Sequence, residues 1–231
     1  MSHEAHDYWD NQAASFDEEP DHGLRDPVVR AAWRDLLMPL LPPPPARIAD
    51  VGCGTASLSV LLAEAGYDVH GLDLSAQMLT AARIKLDAAG VRAPLARGDA
   101  ARPPFAPGSC DVVLERHVLW AIDDQFGALR QWSRLLAPGG TLVLVEGTWG
   151  SGAGLDAAEC ATLVRRVRRQ AEIILLPDPA LWAEPSMTSV TCSSATTEDS
   201  PQRGQHQPGL DPEPTATGCQ RRPKGAACGA R

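Results

Sequence analysis

The sequence predicts an α/β fold, a mostly parallel sheet doubly wound by helices, and three observations carry that prediction. Residues 46–184 alternate between the short apolar runs of strands and the three- and four-residue spacing of amphipathic helices. Turn residues mark the switches, at Gly66, Gly90 and Pro138-Gly139-Gly140. A glycine-rich turn, Gly52-Cys53-Gly54, falls between the first such strand and the first such helix. Alternation of this kind implies right-handed crossovers and a sheet covered on both faces.

The chain opens with Tyr8, Trp9 and Phe16 among acidic residues, which suggests a short helix that needs a partner surface. Asp26-Pro27 then supplies an N-cap and a first helical residue for Val28, Val29, Ala32, Trp33, Leu36, Leu37 and Leu40 at helical spacing. Four prolines at 42–45 cannot continue that helix, so a boundary is expected there, with 1–45 an N-terminal helical lid and 46–184 the sheet domain. Arg47–Val51 reads as a buried strand, 57–65 as a helix closed by Gly66, and 68–72 as a second strand. Ser75 caps a helix that sets Met78, Leu79, Ala82 and Leu86 on one face and ends at Gly90. Residues 92–97 form a weaker third strand, 110–114 a fourth, 126–136 a helix and 140–145 a fifth strand. A helix over 155–170 and a sixth strand over 171–176 complete the body. Beyond it, 22 of the 47 residues from 185 to 231 are Pro, Gly, Ser or Thr, and only Met187, Val190 and Leu210 are large and apolar. Such a segment buries too little to offset its ordering entropy, so 185–231 reads as a disordered tail.

The 231 residues, 44% hydrophobic and 22% charged, suffice for a sizeable core. The formal charge is −8; the tail holds five basic and four acidic residues, which leaves −9 on 1–184. That balance argues against polyanionic partners, nucleic acid and anionic membranes alike. No apolar run approaches the ~20 residues that span a bilayer. The N-terminus, acidic and without Lys or Arg through Asp21, is the reverse of a targeting leader, and a cytoplasmic protein is expected. Six cysteines form no C-x-x-C pair and meet no histidine at metal-ligand spacing; reduced structural thiols and no metal site are expected.

Gly52 and Gly54 let the backbone turn tightly and approach a ligand without a Cβ in the way. Asp73, 21 residues after Gly52 at the end of the second strand, is placed to accept both hydroxyls of a ribose. The third glycine of a dinucleotide fingerprint would fall at Ser57, and Asp50 sets a carboxylate where a diphosphate would be repelled and an ammonium or sulfonium attracted. An adenosine-bearing ligand, cationic near Asp50, follows. An NAD-dependent oxidoreductase is the rival class, opposed by Ser57 and Asp50. Plainer roles stay open: Asp50 and Asp73 as helix caps, Asp99 as a turn former before Ala100. His117, with Arg116 after the fourth strand, lies where open parallel sheets collect ligands and is the one histidine of the body placed as a general base. A hydrogen-bonded strand-end histidine is the alternative. Glu146 is a second polar candidate after the fifth strand, and Trp120 and Trp149 read as cavity wall or core.

These residues resemble those of the class I S-adenosylmethionine-dependent methyltransferases, in particular the single-domain kind that acts on small molecules. The resemblance covers roughly 5–184 and rests on Ile48-Ala49-Asp50-Val51-Gly52-Cys53-Gly54-Thr55, Gly71-Leu72-Asp73-Leu74-Ser75, Arg97-Gly98-Asp99-Ala100, residues 105–113 and Leu135-Leu136-Ala137-Pro138-Gly139-Gly140-Thr141-Leu142. It implies a Rossmann-like doubly wound fold, S-adenosyl-L-methionine as cofactor, and metal-free, in-line transfer of its methyl group to a small-molecule acceptor. By the same resemblance Gly52 and Gly54 would line the methionine part, Asp50 would hold its amino group, and Asp73 would bind the ribose with Leu74 in contact. Asp99 would accept the adenine amino group and the Ala100 amide would meet a ring nitrogen. Tyr8 and Trp9 look like an aromatic N-terminal segment that closes over the cofactor; anchoring the first helix is their plainer role. Glu115-Arg116-His117-Val118 is not the Asn/Asp-Pro-Pro-aromatic motif of enzymes that methylate nucleic-acid bases, so no nucleic-acid acceptor is expected. A cofactor-binding protein without turnover is the second rival. The family's sheet ends in a seventh, antiparallel strand beside the fifth, and the polar tail leaves that strand missing or altered. Under one choice of synonymous codons, 186–194 read two bases out of frame would encode His-Asp-Glu-Arg-Tyr-Leu-Leu-Val, so a frameshifted tail is expected.

Overall fold

The structure, a computed structural model, describes residues 3–148, 153–168, 170–182 and 190–196; Trp149 lies outside them. Three helices come first, α1 (His3–Gln12), α2 (Pro20–Gly23) and α3 (Pro27–Leu37). Asp26 caps α3 by accepting the Val28 N–H at 2.7 Å, and Pro27 takes the first helical position, where no N–H is needed. Val29, Trp33 and Leu37 of α3 pack into the same apolar cluster as Ile48 and Leu62. There follow β1 (Arg47–Val51), α4 (Ser57–Glu64), β2 (Asp68–Asp73), α5 (Ala76–Ala89), β3 (Leu95–Arg97), β4 (Cys110–Arg116) and α6 (Gln125–Leu135). β5 (Leu136–Gly147), α7 (Ala157–Arg165), β6 (Glu172–Leu175) and β7 (Val190–Thr196) complete the α-helices and strands of the described residues.

The sheet runs β3-β2-β1-β4-β5-β7-β6. Its first five strands are parallel to one another, as the alternating pattern predicts. Side chains alternate across it with the strand period of two: Val112 and Leu114 face the cluster under α3, α4 and α5, and Val113 faces the cluster under α6 and α7. Trp33 on one face and Trp132 on the other are fully buried.

The terminal strand was expected to be missing or altered, and the structure corrects the first of these: the strand is present. β7 lies between β5 and β6, antiparallel to both, and pairs with β5 from Thr141↔Thr196 to Gly147↔Val190. The physical reason is that ladder hydrogen bonds belong to the backbone, whereas a count of apolar residues reports only side-chain burial. Without β7, β5 and β6 would each present an unpaired edge. Val190, Thr191 and Thr196 are β-branched, which suits an extended backbone. The disordered reading of 185–231 therefore fails at 190–196; 185–189 and 197–231 lie outside the described residues.

In this strand order β1 is flanked by β2 on one side and β4 on the other, so the chain winds away from β1 in both directions. The crevice beyond the C-terminal ends of β1 and β4 is where such sheets bind ligands.

Candidate functional site

A cavity of about 390 Å³ opens at that crevice. Asp50, Gly52, Cys53 and Gly54 line it from the turn after β1, and Asp73 and Leu74 from the end of β2. Ala100 contributes from the loop after β3, and Arg116, His117, Val118 and Trp120 from the end of β4. Tyr8, Trp9, Phe16 and His22 roof it from the N-terminal helical segment. Tyr8, Asp50, Gly52, Gly54, Asp73, Leu74, Ala100 and His117, all singled out from sequence, thus share one cavity; Asp99 and Glu146 are not part of its lining.

The β1 turn is held by two short bonds, Gly52 N–H and Cys53 N–H to the Leu72 carbonyl at 2.7 and 2.9 Å. Gly52 has φ +76°, and a Cβ there would overlap the Val118 side chain; Gly54 has φ +55°, and its Cβ would lie 3.2 Å from the Phe16 ring. Both positions therefore favour glycine for conformation, and Gly52 for space as well.

Asp73 accepts the Gly54 N–H on Oδ2 and the Ser75 N–H on Oδ1, each at 2.8 Å. Each oxygen keeps a second lone pair for a ligand hydroxyl. Burial pushes its carboxyl above the usual range, against the pull of those amides. Asp50 is 3% exposed and accepts the Ser59 hydroxyl at 2.5 Å. Burial raises its pKa to about 6, with Ser59 and Arg116 opposing. Asp99 accepts the Ala101 N–H at 2.8 Å, the turn-forming role left open above. Tyr8 is 56% exposed and sits edge-on to Trp9 at 5.0 Å between ring centroids.

Sequence reasoning named one histidine for the ligand side, and the structure adds a second. His22 stacks on Phe16 at 4.3 Å and is carried by α2, with no motif to mark it. Burial lowers the pKa of both imidazoles, for His117 well below the ordinary value and with further help from Arg116, so His117 stays neutral at pH 7. A neutral imidazole can accept a proton or a hydrogen bond without being charged first. Arg116 itself donates Nη1–H to the Asp21 carbonyl at 2.5 Å and lies 4.9 Å over the Trp33 ring. Glu146 is fully buried behind the wall and does not line the cavity.

Two further groups tie the N-terminal segment to the sheet. Lys85 of α5 donates to Asp17, Thr55 and Ser57, at 2.9, 2.8 and 2.6 Å, so one ammonium links the roof to the turn after β1. Asp10 of α1 accepts the Ser75 hydroxyl at 2.5 Å while Ser75 accepts the Met78 N–H, the α5 cap read from sequence. Among the described residues no group of three His, Cys, Asp or Glu side chains is arranged to hold a metal ion. No helix there is long and apolar enough to cross a membrane.

Residues 49–144 match the family described as a methyltransferase domain. A trans-aconitate 2-methyltransferase of Streptomyces avermitilis is 34% identical over 189 residues, which cover 76% of this chain and 69% of that protein. The chain belongs to the S-adenosylmethionine-dependent methyltransferase family. A demethylmenaquinone methyltransferase of Thermus thermophilus is 37% identical over 117 residues, covering 49% of this methyltransferase-family chain and 53% of the relative. The chain thus spans about half the length of that relative. An S-adenosylmethionine-dependent methyltransferase of Thermotoga maritima shares the fold with a TM-score of 0.56 at 19% identity, over 72% of this chain and 88% of that one.

Proposed function

We propose that the chain binds S-adenosyl-L-methionine in this cavity and passes its methyl group to a small-molecule acceptor. The observation that carries the reading is the convergence of Asp50, Gly52, Gly54 and Asp73 on one cavity at the switch point of the sheet. The residues fit the group: two glycines leave room for it, Asp73 has acceptor capacity for two ribose hydroxyls, and a buried carboxylate stands ready for an ammonium. Arg116 lies within electrostatic reach of Asp50, and together they suit the opposite charges of an amino-acid head group. Leu74 and Ala100 supply the nucleoside side, with Asp99 in the next turn, and Tyr8 and Trp9 close the roof.

The sulfonium supplies a methyl group already activated for transfer, so the protein's task is alignment and exclusion of water. His117 and His22, both neutral, line the side left for the acceptor and can take its proton or hydrogen-bond it. The modest size of the cavity, the −9 charge on 1–184 and the named acceptors of the relatives, demethylmenaquinone and trans-aconitate, support a small molecule.

Asp50 gives the reading a pH signature. Below pH 6 its carboxyl is protonated in the free protein and must lose that proton to meet an ammonium. S-adenosylhomocysteine should therefore bind more weakly as pH falls from 7 to 5, by up to about tenfold per pH unit below the midpoint. Asp50→Asn should flatten the profile, and NADH should not bind at any pH in the range. Calorimetry checks all three; a flat wild-type profile, or tighter binding of NADH, counts against the proposal.

A further inference from the structure

Behind the cavity wall two carboxyls meet, Glu115 at the end of β4 and Glu146 on the neighbouring β5, both fully buried. Neither lines the cavity. Glu115 Oε2 accepts the Val118 N–H at 2.9 Å and the Leu119 N–H at 3.3 Å, and Glu146 Oε1 accepts the Trp120 N–H at 3.1 Å. The other two oxygens are sealed from solvent and receive no N–H. Glu146 acts electrostatically on Glu115, and a proton shared between the two remaining oxygens would satisfy both. Burial, and then the charge of Glu146, pushes Glu115 well above the usual carboxyl range, while burial takes Glu146 to about 7. The pair therefore keeps at least one proton at neutral pH.

The three amides they hold follow directly on His117, which has φ +58°, a left-handed conformation that non-glycine residues avoid. Its N–H donates to the Val145 carbonyl at 2.8 Å, and its own carbonyl accepts Trp120 Nε1–H at 2.9 Å. A strained residue persists only where its neighbours over-determine it, and here the five hydrogen bonds just named hold four consecutive residues. Strain of this kind is concentrated where a side chain must be aimed.

We propose that the Glu115–Glu146 pair is the positioning device of the site: by accepting the amides of Val118, Leu119 and Trp120 it fixes the left-handed turn at His117 and thereby aims the imidazole into the cavity. The two glutamates are positioning residues, since neither touches the cavity. The inference deepens the methyl-transfer reading and rests on it for the acceptor that His117 would meet. Two ionised carboxylates in this dry place would be costly, and a pair sharing a proton presents acceptors to the loop without that second buried charge.

The test compares Glu115→Gln with Glu115→Ala in full-length protein. Glutamine can accept the Val118 and Leu119 N–H groups and donate to Glu146, whereas alanine can do neither. In protein carrying ¹³C-labelled histidine, with the His117 signal assigned by His117→Asn, the glutamine variant should leave that signal at its wild-type shift. The alanine variant should move or broaden it. An unchanged His117 signal in Glu115→Ala, or one displaced as far in Glu115→Gln, would overturn the proposal. Should the alanine variant not fold, amide exchange in wild type decides: the Val118, Leu119 and Trp120 amides should exchange about a hundredfold or more slower than unstructured amides. Unprotected amides would overturn it. S-adenosylhomocysteine affinity, measured alongside, reports separately on the methyl-transfer reading, so failure of one does not imply failure of the other.

Discussion

Asp73→Ala should weaken S-adenosylhomocysteine binding about a hundredfold or more, since hydrogen bonds to a charged group contribute ~1.5–3 kcal/mol each and the carboxylate has room for two. Calorimetry on wild type and variant measures it directly. The same substitution orphans the Gly54 and Ser75 amides, which now donate to the two carboxyl oxygens. The β1 turn and the start of α5 should loosen together, with a stability loss of about 1–3 kcal/mol for each amide left without a partner. Asp73→Asn separates the effects: its single carbonyl oxygen keeps part of the loop bonding, while charge-assisted recognition of the ribose is lost. An alanine variant that binds with wild-type affinity would leave Asp73 with the capping role alone.

Trp33→Ala should cost about 3–5 kcal/mol of stability, the range for deleting a large aromatic side chain from a packed core. Trp33 is fully buried, and its Nε1–H donates to the Leu181 carbonyl at 2.9 Å. Its ring meets Trp182 edge-on at 5.5 Å and carries the Arg116 guanidinium on its face. Removing it therefore opens a cavity and strips a carbonyl, an aromatic pair and a cation–π contact at once. Thermal unfolding should show a midpoint lower by about 10 °C. A loss under about 1 kcal/mol would mean that α3 is a detachable lid and not part of the core.

The parallel half of the sheet was legible because its strands and helices carry their periods locally. Glycine and proline mark their ends, and Ser75, read as a cap, does accept the Met78 N–H. The ends of β1 and β2 were legible for the same reason, since Asp50, Gly52, Gly54 and Asp73 lie within one short stretch of sequence. β7 escaped because its pairing is a property of the backbone, and its Thr-Cys-Ser-Ser-Ala stretch has no apolar pattern to announce it. A lid was expected, but the ties that hold the roof escaped because they span long separations: Asp17 meets Lys85, Asp10 meets Ser75, and Arg116 meets the Asp21 carbonyl. No periodicity links such pairs. Glu115 had no motif either; only the fold reveals that it shares its burial with Glu146.

Ligand placement tests the central claim most directly. In a crystal structure with S-adenosylhomocysteine, the ribose hydroxyls should lie within hydrogen-bond distance of Asp73, the amino group beside Asp50, and the thioether facing His117. A ligand bound elsewhere on the molecule, or ribose and amino groups directed away from both carboxylates, would contradict the account.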